Sequence, residues 1–144
     1  MAYIVREAKM LDAEAICVLN REELGYDYPA EQTREKLEKT LLREKEVVFV
    51  AEQDGTVIGY IHACGYDVLY APHVKDIMGI AVSSEFRRRG VGAALLGAVE
   101  KWAKQTGASG IRLVSGSSRT GAHAFYRRCG YVAGKEQINF KKMF

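Results

Sequence analysis

The chain has 144 residues, enough for a single domain with a real hydrophobic core, and no repeat, low-complexity tract or linker divides it. A hydrophobic fraction of 48% and a charged fraction of 27% exclude a disordered or fibrous chain and fit a globular one. The formal net charge of +3 admits anionic ligands, but it is too small to argue for nucleic acid.

In chain order, residues 3–8 read as a first strand. Asp12 is placed to cap a helix over 13–23, with Ile16 and Leu19 facing inward. Residues 25–29 break it. A second helix is expected over 31–45, with Leu37, Leu41 and Leu42 on its apolar side. Residues 47–53 alternate around Phe49 as a strand does. Asp54-Gly55 is a strong hairpin signal, because both residues tolerate the positive φ of a tight turn. Residues 56–66 form the returning strand. A loop through Tyr70 and His73 leads to a strand over 76–82, whose apolar end, 77–82, reads as buried.

A helix follows the basic turn at 87–90. Val91, Ala94, Leu95, Ala98, Val99 and Trp102 share one stripe, while Glu100, Lys101 and Lys104 lie off it. Gly107 suits its C-terminal cap. Residues 111–114 make a short strand, and 115–118 are a polar loop placed to cap a last helix through Ala122, Phe125 and Tyr126, closed by Gly130. Residues 131–144 suit one or two terminal strands. The pattern is a mixed α/β sheet with helices on both faces, in one domain spanning 1–144.

Cys17, Cys64 and Cys129 are odd in number and far apart, which fits reduced thiols in a cytoplasmic protein. No cysteine pair has metal-ligand spacing, and His62, His73 and His123 are equally scattered, so no metal site is expected. Neither a leader peptide nor a membrane-spanning run is apparent, and no membrane partner is expected.

The most informative stretch is 82–93. A buried strand runs into Arg87-Arg88-Arg89-Gly90-Val91-Gly92-Ala93 and then into an amphipathic helix. The first amides of a helix have no internal partner and carry the positive end of its dipole. Gly90 and Gly92 let an anion approach them, and the arginines add forked donors suited to phosphate. A pyrophosphate is the natural guest. No Gly-Lys-Ser/Thr closes the loop as a Walker motif requires, and Leu95 stands where a dinucleotide fingerprint has its third glycine.

Arg87-Arg88-Arg89-Gly90-Val91-Gly92 instead resembles the acetyl-CoA loop of the GNAT N-acetyltransferase superfamily, Gln/Arg-x-x-Gly-x-Gly/Ala. Residues 122–131, Ala-His-Ala-Phe-Tyr-Arg-Arg-Cys-Gly-Tyr, resemble a second pattern of that superfamily one strand and one helix later. The resemblance implies a mostly antiparallel twisted sheet of about six to seven strands, splayed between strands four and five. It also implies a direct transfer from acetyl-CoA to a primary amine in a ternary complex. Carried over by position, Ile80, Ala81 and Val82 line the pantetheine. Arg87, Arg88, Gly90, Val91, Gly92 and Ala93 hold the pyrophosphate. Tyr126 takes the place of the tyrosine that protonates the leaving thiolate. Arg119 stands where the superfamily often has an asparagine contacting CoA, facing either a phosphate or solvent.

The chemistry implied is coherent. A strand-four amide near Ile80 is placed to stabilise the tetrahedral oxyanion. A phenol with a pKa near ~10 can protonate a thiolate whose acid has a pKa near ~8.5 when the two are held close. The amine arrives protonated and needs a base. Asp76 is the first candidate, at a strand-four position where the histone-acetylating branch carries a glutamate, with Glu22, Glu23 and His73 as alternatives. Glu22, Glu23, Asp27 and Glu31 form either an acidic mouth for a cationic acceptor or merely solvated helix ends. A small-molecule amine and a peptide or protein amine both remain open as acceptor. A non-catalytic CoA-binding sensor is the competing function. Nucleic acid is disfavoured, since no aromatic-interleaved basic surface accompanies the arginines. A homodimer paired through the last strand is compatible with the sequence.

Overall fold

The computed structural model describes residues 2–144. They divide into two compact units that meet between Leu113 and Val114. The first holds a five-stranded sheet in the order β1-β2-β3-β4-β5. Its strands are β1 (Ile4–Glu7), β2 (Glu46–Gln53), β3 (Thr56–Tyr66), β4 (Val74–Val82) and β5 (Ile111–Leu113). Neighbours are antiparallel except β4 and β5, which are parallel. Five strands replace the six to seven expected. Residues 131–144 form no strand among the described residues, and Val132, Ile138, Phe140, Met143 and Phe144 are all exposed. Apolar alternation makes a strand only where a neighbour accepts its backbone bonds, and among the described residues no strand pairs with this segment.

The β2–β3 hairpin turns where the sequence signals it. Asp54 and Gly55 have φ of 50° and 78°, the two positive values that a two-residue hairpin with the strands' own twist requires. The pairing is interrupted twice. Between Ala51 and Glu52 of β2 the register shifts past Ile58 of β3, and between His62 and Ala63 of β3 it shifts past Met78 of β4. Each shift leaves one residue unopposed, as in a β-bulge, and bends the strand that carries it.

Helices α1 (Ala13–Leu24) and α2 (Ala30–Leu41) cover one face of this sheet. Ile16, Leu19 and Leu37 pack there with Val48, Val50, Tyr60 and Ala81. Helix α3 (Val91–Gln105) covers the other face. Its buried side is Val91, Leu95, Leu96, Val99 and Ala103. The predicted stripe was therefore rotated slightly, toward Leu96 and away from Trp102, whose ring instead lies 4.3 Å under the buried Lys75 ammonium. The C-cap of α3 is Thr106 rather than Gly107, which follows it at φ 81°.

Two local expectations fail. Helix α2 stops at Leu41, and Leu41 and Leu42 are exposed. Its inner face runs Thr33, Leu37, Thr40, so helical spacing from Leu37 picks threonines over the later leucines. Asp12 holds the N-cap position of α1, but its side chain makes no cap bond to that helix. It is buried, accepts the Lys9 N–H at 2.7 Å and pairs with Arg6 at 2.9 Å, and Arg6 also reaches Glu52 at 2.9 Å. Burial would raise the Asp12 carboxyl, but the bonds from Arg6 and Lys9 outweigh it and hold it below its ordinary range.

The second unit, Val114–Phe144, contains α4 (Thr120–Arg128). No side chain of 115–118 caps it. Arg119 holds the cap position, and its own N–H donates to the Gly116 carbonyl at 3.0 Å. Gly130, at φ 92°, follows the helix end.

Candidate functional site

Strand β5 is only three residues long, and it pairs with Lys75, Asp76 and Ile77 alone. From Met78 onward β4 has no neighbour on that side, while β3 stays bonded on the other. The bulge at Met78 falls on the same rung. Because β5 is short, the edge of β4 beyond it runs free through Ile80 and Val82, with its outward backbone groups uncommitted among the described residues. Ala81 is buried between them against Tyr60, on the α1/α2 face. The sheet is therefore open beyond Ile77, where β5 ends and β4 runs on alone within the first unit.

The free edge leads directly into the basic turn. Arg88 has φ 64° and Gly90 has φ 79°, both left-handed. Gly90 is the N-cap of α3, and its carbonyl accepts the first helical bond, from Ala94 N–H at 2.9 Å. The amides of Val91, Gly92 and Ala93 precede that bond and have no carbonyl partner among the described residues. A Cβ on Gly90 would meet only the Tyr3 hydroxyl, at 3.6 Å. The turn therefore presents free donors, a helix dipole and an open approach, which suits a pyrophosphate.

The three arginines are not equivalent. Arg87 is bonded to Glu23 at 2.8 Å, and the other Glu23 oxygen accepts the Ser84 N–H at 3.1 Å. Glu23 thereby ties the turn to the end of α1, and with both oxygens engaged it is poorly placed as a base. Arg89 lies 5.3 Å over the Phe86 ring, and its carbonyl accepts from Tyr3. Arg88 has no ion pair or hydrogen bond among the described residues. It is the arginine left available for an anion.

Asp76 sits on the middle of the three rungs that β4 shares with β5, opposite Arg112, whose Nη1 pairs with it at 3.2 Å. Arg112 also stacks 4.2 Å over Tyr66. Burial raises the Asp76 carboxyl and Arg112 opposes it, leaving the group above its ordinary range. Glu22, Asp27 and Glu31 are exposed around the α1–α2 connection, together with Tyr26 and Tyr28. His73 is remote from them in the fold's order and lies against Gly65 of β3.

In the second unit, Tyr126 is half-buried, with the Phe125 ring at 5.3 Å and the Tyr131 ring at 6.2 Å. Burial pushes its phenol up, and Arg119 partly offsets this. A phenol so raised stays protonated at neutral pH and is a donor. The described residues contain no group of three or more histidine, cysteine or acidic side chains able to hold a metal. They contain no helix long and apolar enough to cross a membrane.

Comparison with known proteins gives consistent matches. The family model described as Acetyltransferase (GNAT) family matches residues 13–131. An N-alpha-acetyltransferase of Sulfurisphaera tokodaii is 33% identical over 137 residues, covering 90% of this chain and 80% of that protein. An aminoglycoside N(6')-acetyltransferase type 1 of Stenotrophomonas maltophilia is 28% identical over 142 residues, covering 95% and 91%. An uncharacterized N-acetyltransferase of Methanocaldococcus jannaschii matches 62% of this chain, which spans only 40% of that longer protein. Among solved structures, AAC(6')-Iy in complex with a bisubstrate analog superposes with a TM-score of 0.89 at 22% identity, covering 100% of both chains.

Proposed function

The chain belongs to the acetyltransferase (GNAT) family, and we propose that this N-acetyltransferase moves the acetyl group of acetyl-CoA directly to a primary amine in a ternary complex. The observation that carries the proposal is the continuity of two features. The edge of β4 freed at Met78 leads, through a short 3-10 turn at Ser84–Phe86 and the basic turn, to the uncommitted amides of Val91, Gly92 and Ala93. One groove side offers extended backbone for a pantetheine, and its end offers donors for a pyrophosphate. We read residues 1–144 as one catalytic domain.

In this proposal Ile80, Ala81 and Val82 flank the pantetheine. Arg88 and the turn amides hold the phosphates, and Arg87 shapes the turn through Glu23. A β4 amide near Ile80 stabilises the oxyanion. Asp76 supplies the negative charge toward which the acceptor ammonium and its proton are drawn, and Tyr126 protonates the departing thiolate. Arg119 steadies the Tyr126 hydroxyl's surroundings or a phosphate. The acceptor is a small cationic amine or a peptide or protein amine, a choice that relatives named an aminoglycoside N(6')-acetyltransferase and an N-alpha-acetyltransferase support. The acidic and tyrosine side chains Glu22, Asp27, Tyr26 and Tyr28 suit a cationic acceptor.

Calorimetric titration with acetyl-CoA, followed by an acetyl-transfer assay on an aminoglycoside, a polyamine and a peptide with a free N-terminus, tests the proposal. Saturable one-site binding with transfer to one class supports it. Tight binding with no transfer to any of them points to a sensor, and no binding at millimolar cofactor removes the CoA site.

A further inference from the structure

On the α1/α2 face of the sheet lies a polar array that the proposed chemistry has not used. Arg43, in the connection after α2, donates to Glu46 Oε2 at 2.8 Å. His62 Nε2 lies 2.8 Å from Glu46 Oε1. Burial acts to raise the Glu46 carboxyl, but the bonds from His62 and Arg43 prevail and hold it below its ordinary range. Glu46 is therefore ionised at neutral pH and only accepts. A neutral His62 must then carry its proton on Nε2, which leaves Nδ1 with a free lone pair.

The position of the ring is as informative as its tautomer. His62 stands opposite Gly79 in the β3–β4 register, beside the unopposed Met78, on the rung where β4 has left β5. Gly79 places no side chain opposite the imidazole, and a Cβ there would meet the Tyr60 hydroxyl at 3.1 Å. The His62 side chain is 26% exposed, so the ring is held but reachable. The groups around it are Glu46 from β2, Tyr60 and Cys64 from its own strand, Asp76 diagonally across on β4, and Arg43 through Glu46. Tyr60 donates its hydroxyl to Asn20 of α1, and Asp76 is paired with Arg112. His62 is the base on this face with an uncommitted lone pair.

We propose that His62 is the general base that deprotonates the acceptor amine, with Glu46 and Arg43 as positioning residues; the assignment rests on the acetyl-transfer function above. Nδ1 takes one proton from the ammonium, which Asp76 holds as a counter-charge. The freed amine lone pair forms the new C–N bond at the thioester carbonyl. The C–S bond breaks with its electron pair going to sulfur, and the thiolate takes up the proton that the nascent amide nitrogen releases. His62 then releases its proton to solvent.

The test uses the full chain and the His62→Gln variant, whose amide can still bond Glu46. Transfer to whichever of the three amines the wild type accepts is followed from pH 5.5 to 9.5. Calorimetry with acetyl-CoA confirms an intact cofactor site in the variant. The expected result is a loss in kcat/KM of about 100-fold at pH 7, the contribution of a positioned base. That deficit should narrow by up to about tenfold per pH unit toward the amine's own pKa, as the free amine becomes available without help. A merely structural role would lower activity equally at every pH. Nitrogen-15 NMR of the wild-type histidines gives an independent reading: the neutral form of His62 is expected to carry its proton on Nε2, and the Nδ1–H tautomer overturns the assignment. A wild-type rate and pH profile in H62Q overturns it too, while leaving acetyl transfer itself standing. Failure of all three amines in the wild type overturns the transfer function, and the base assignment falls with it.

Discussion

Replacing Arg88 by glycine should move stability and cofactor affinity in opposite directions. Arg88 holds φ at 64° without a glycine's freedom. An L-residue in that region costs about 1–2 kcal/mol, whereas a glycine there loses about 0.5–1 kcal/mol more chain entropy on folding. The difference favours the variant by about 0.5–1 kcal/mol, or about 1–4 °C in Tm for a chain of this size. The same change removes the one arginine of the turn with no protein partner. A hydrogen bond to a charged group contributes about 1.5–3 kcal/mol, and exposure of Arg88 puts the loss near the lower end, about tenfold in Kd for CoA. Differential scanning calorimetry and titration with CoA read the two effects separately. Arg88→Ala is the control, since alanine keeps the strain and loses the charge, so affinity should fall without any gain in Tm. CoA affinity unchanged in R88G would remove Arg88 from the phosphate site. A lower Tm in R88G would show that the turn, and not the residue, prefers the left-handed conformation.

Three further outcomes are expected. Tyr126→Phe should slow turnover by about 10²-fold or more while cofactor affinity stays nearly unchanged, because a proton donor acts only in the transition state; an unchanged rate would remove it from the mechanism. Asp12→Asn should cost about 2–3 kcal/mol in a urea melt, since it leaves Arg6, only 20% exposed, without its main partner. The Asp12 pKa is depressed in the folded state, so its contribution is present above the unfolded value near ~3.9 and lost as pH falls through the lower folded value. The gap between wild type and variant should hold from neutral pH to about 5 and close below about 4. Gly79→Ala should lose about 1 kcal/mol or more in thermal unfolding, because the new methyl group sits 3.1 Å from a Tyr60 hydroxyl already committed to Asn20. No loss would show that Tyr60 yields freely.

The parts of this fold that were legible in the sequence are those with local causes. Asp54-Gly55 specifies its own turn, and 56–66 follows as β3 to the residue. The α3 stripe and the Gly90 start are carried by spacing and by a glycine that must take a positive φ. The basic turn was legible as a glycine-bearing lead into α3, yet the unequal partners of its arginines were not. Glu23 and Arg87 are 64 positions apart, and nothing local announces that one neutralises the other. The terminal strands failed for the complementary reason. Residues 131–144 have the composition of a strand, but a strand exists only where a second one supplies bonds.

The array at His62 shows how much a single unopposed residue decides. The hairpin starts with Gln53 opposite Thr56 and Glu52 opposite Val57. Continued without interruption, that register sets Glu46 opposite Ala63, and His62 then points to the other face of the sheet. The bulge at Ile58 moves Glu46 opposite Cys64, which brings it onto the face of His62 and permits their 2.8 Å contact. The second bulge, at Met78, sets Gly79 rather than a side chain opposite His62 on the rung where β4 parts from β5. No pattern in 46–62 signals the first shift, because Ile58 is fully buried and looks like any other strand residue. Closing the bulge by pairing Ile58 itself with Ala51 would restore the uninterrupted register. It would separate Glu46 from His62, and by the same stroke turn Tyr60 away from Asn20. The proposed base, its positioning carboxylate and the hydroxyl under Gly79 are therefore consequences of one extra residue in β3, which makes the hairpin's bulge as much a part of the site as the arginines of the turn.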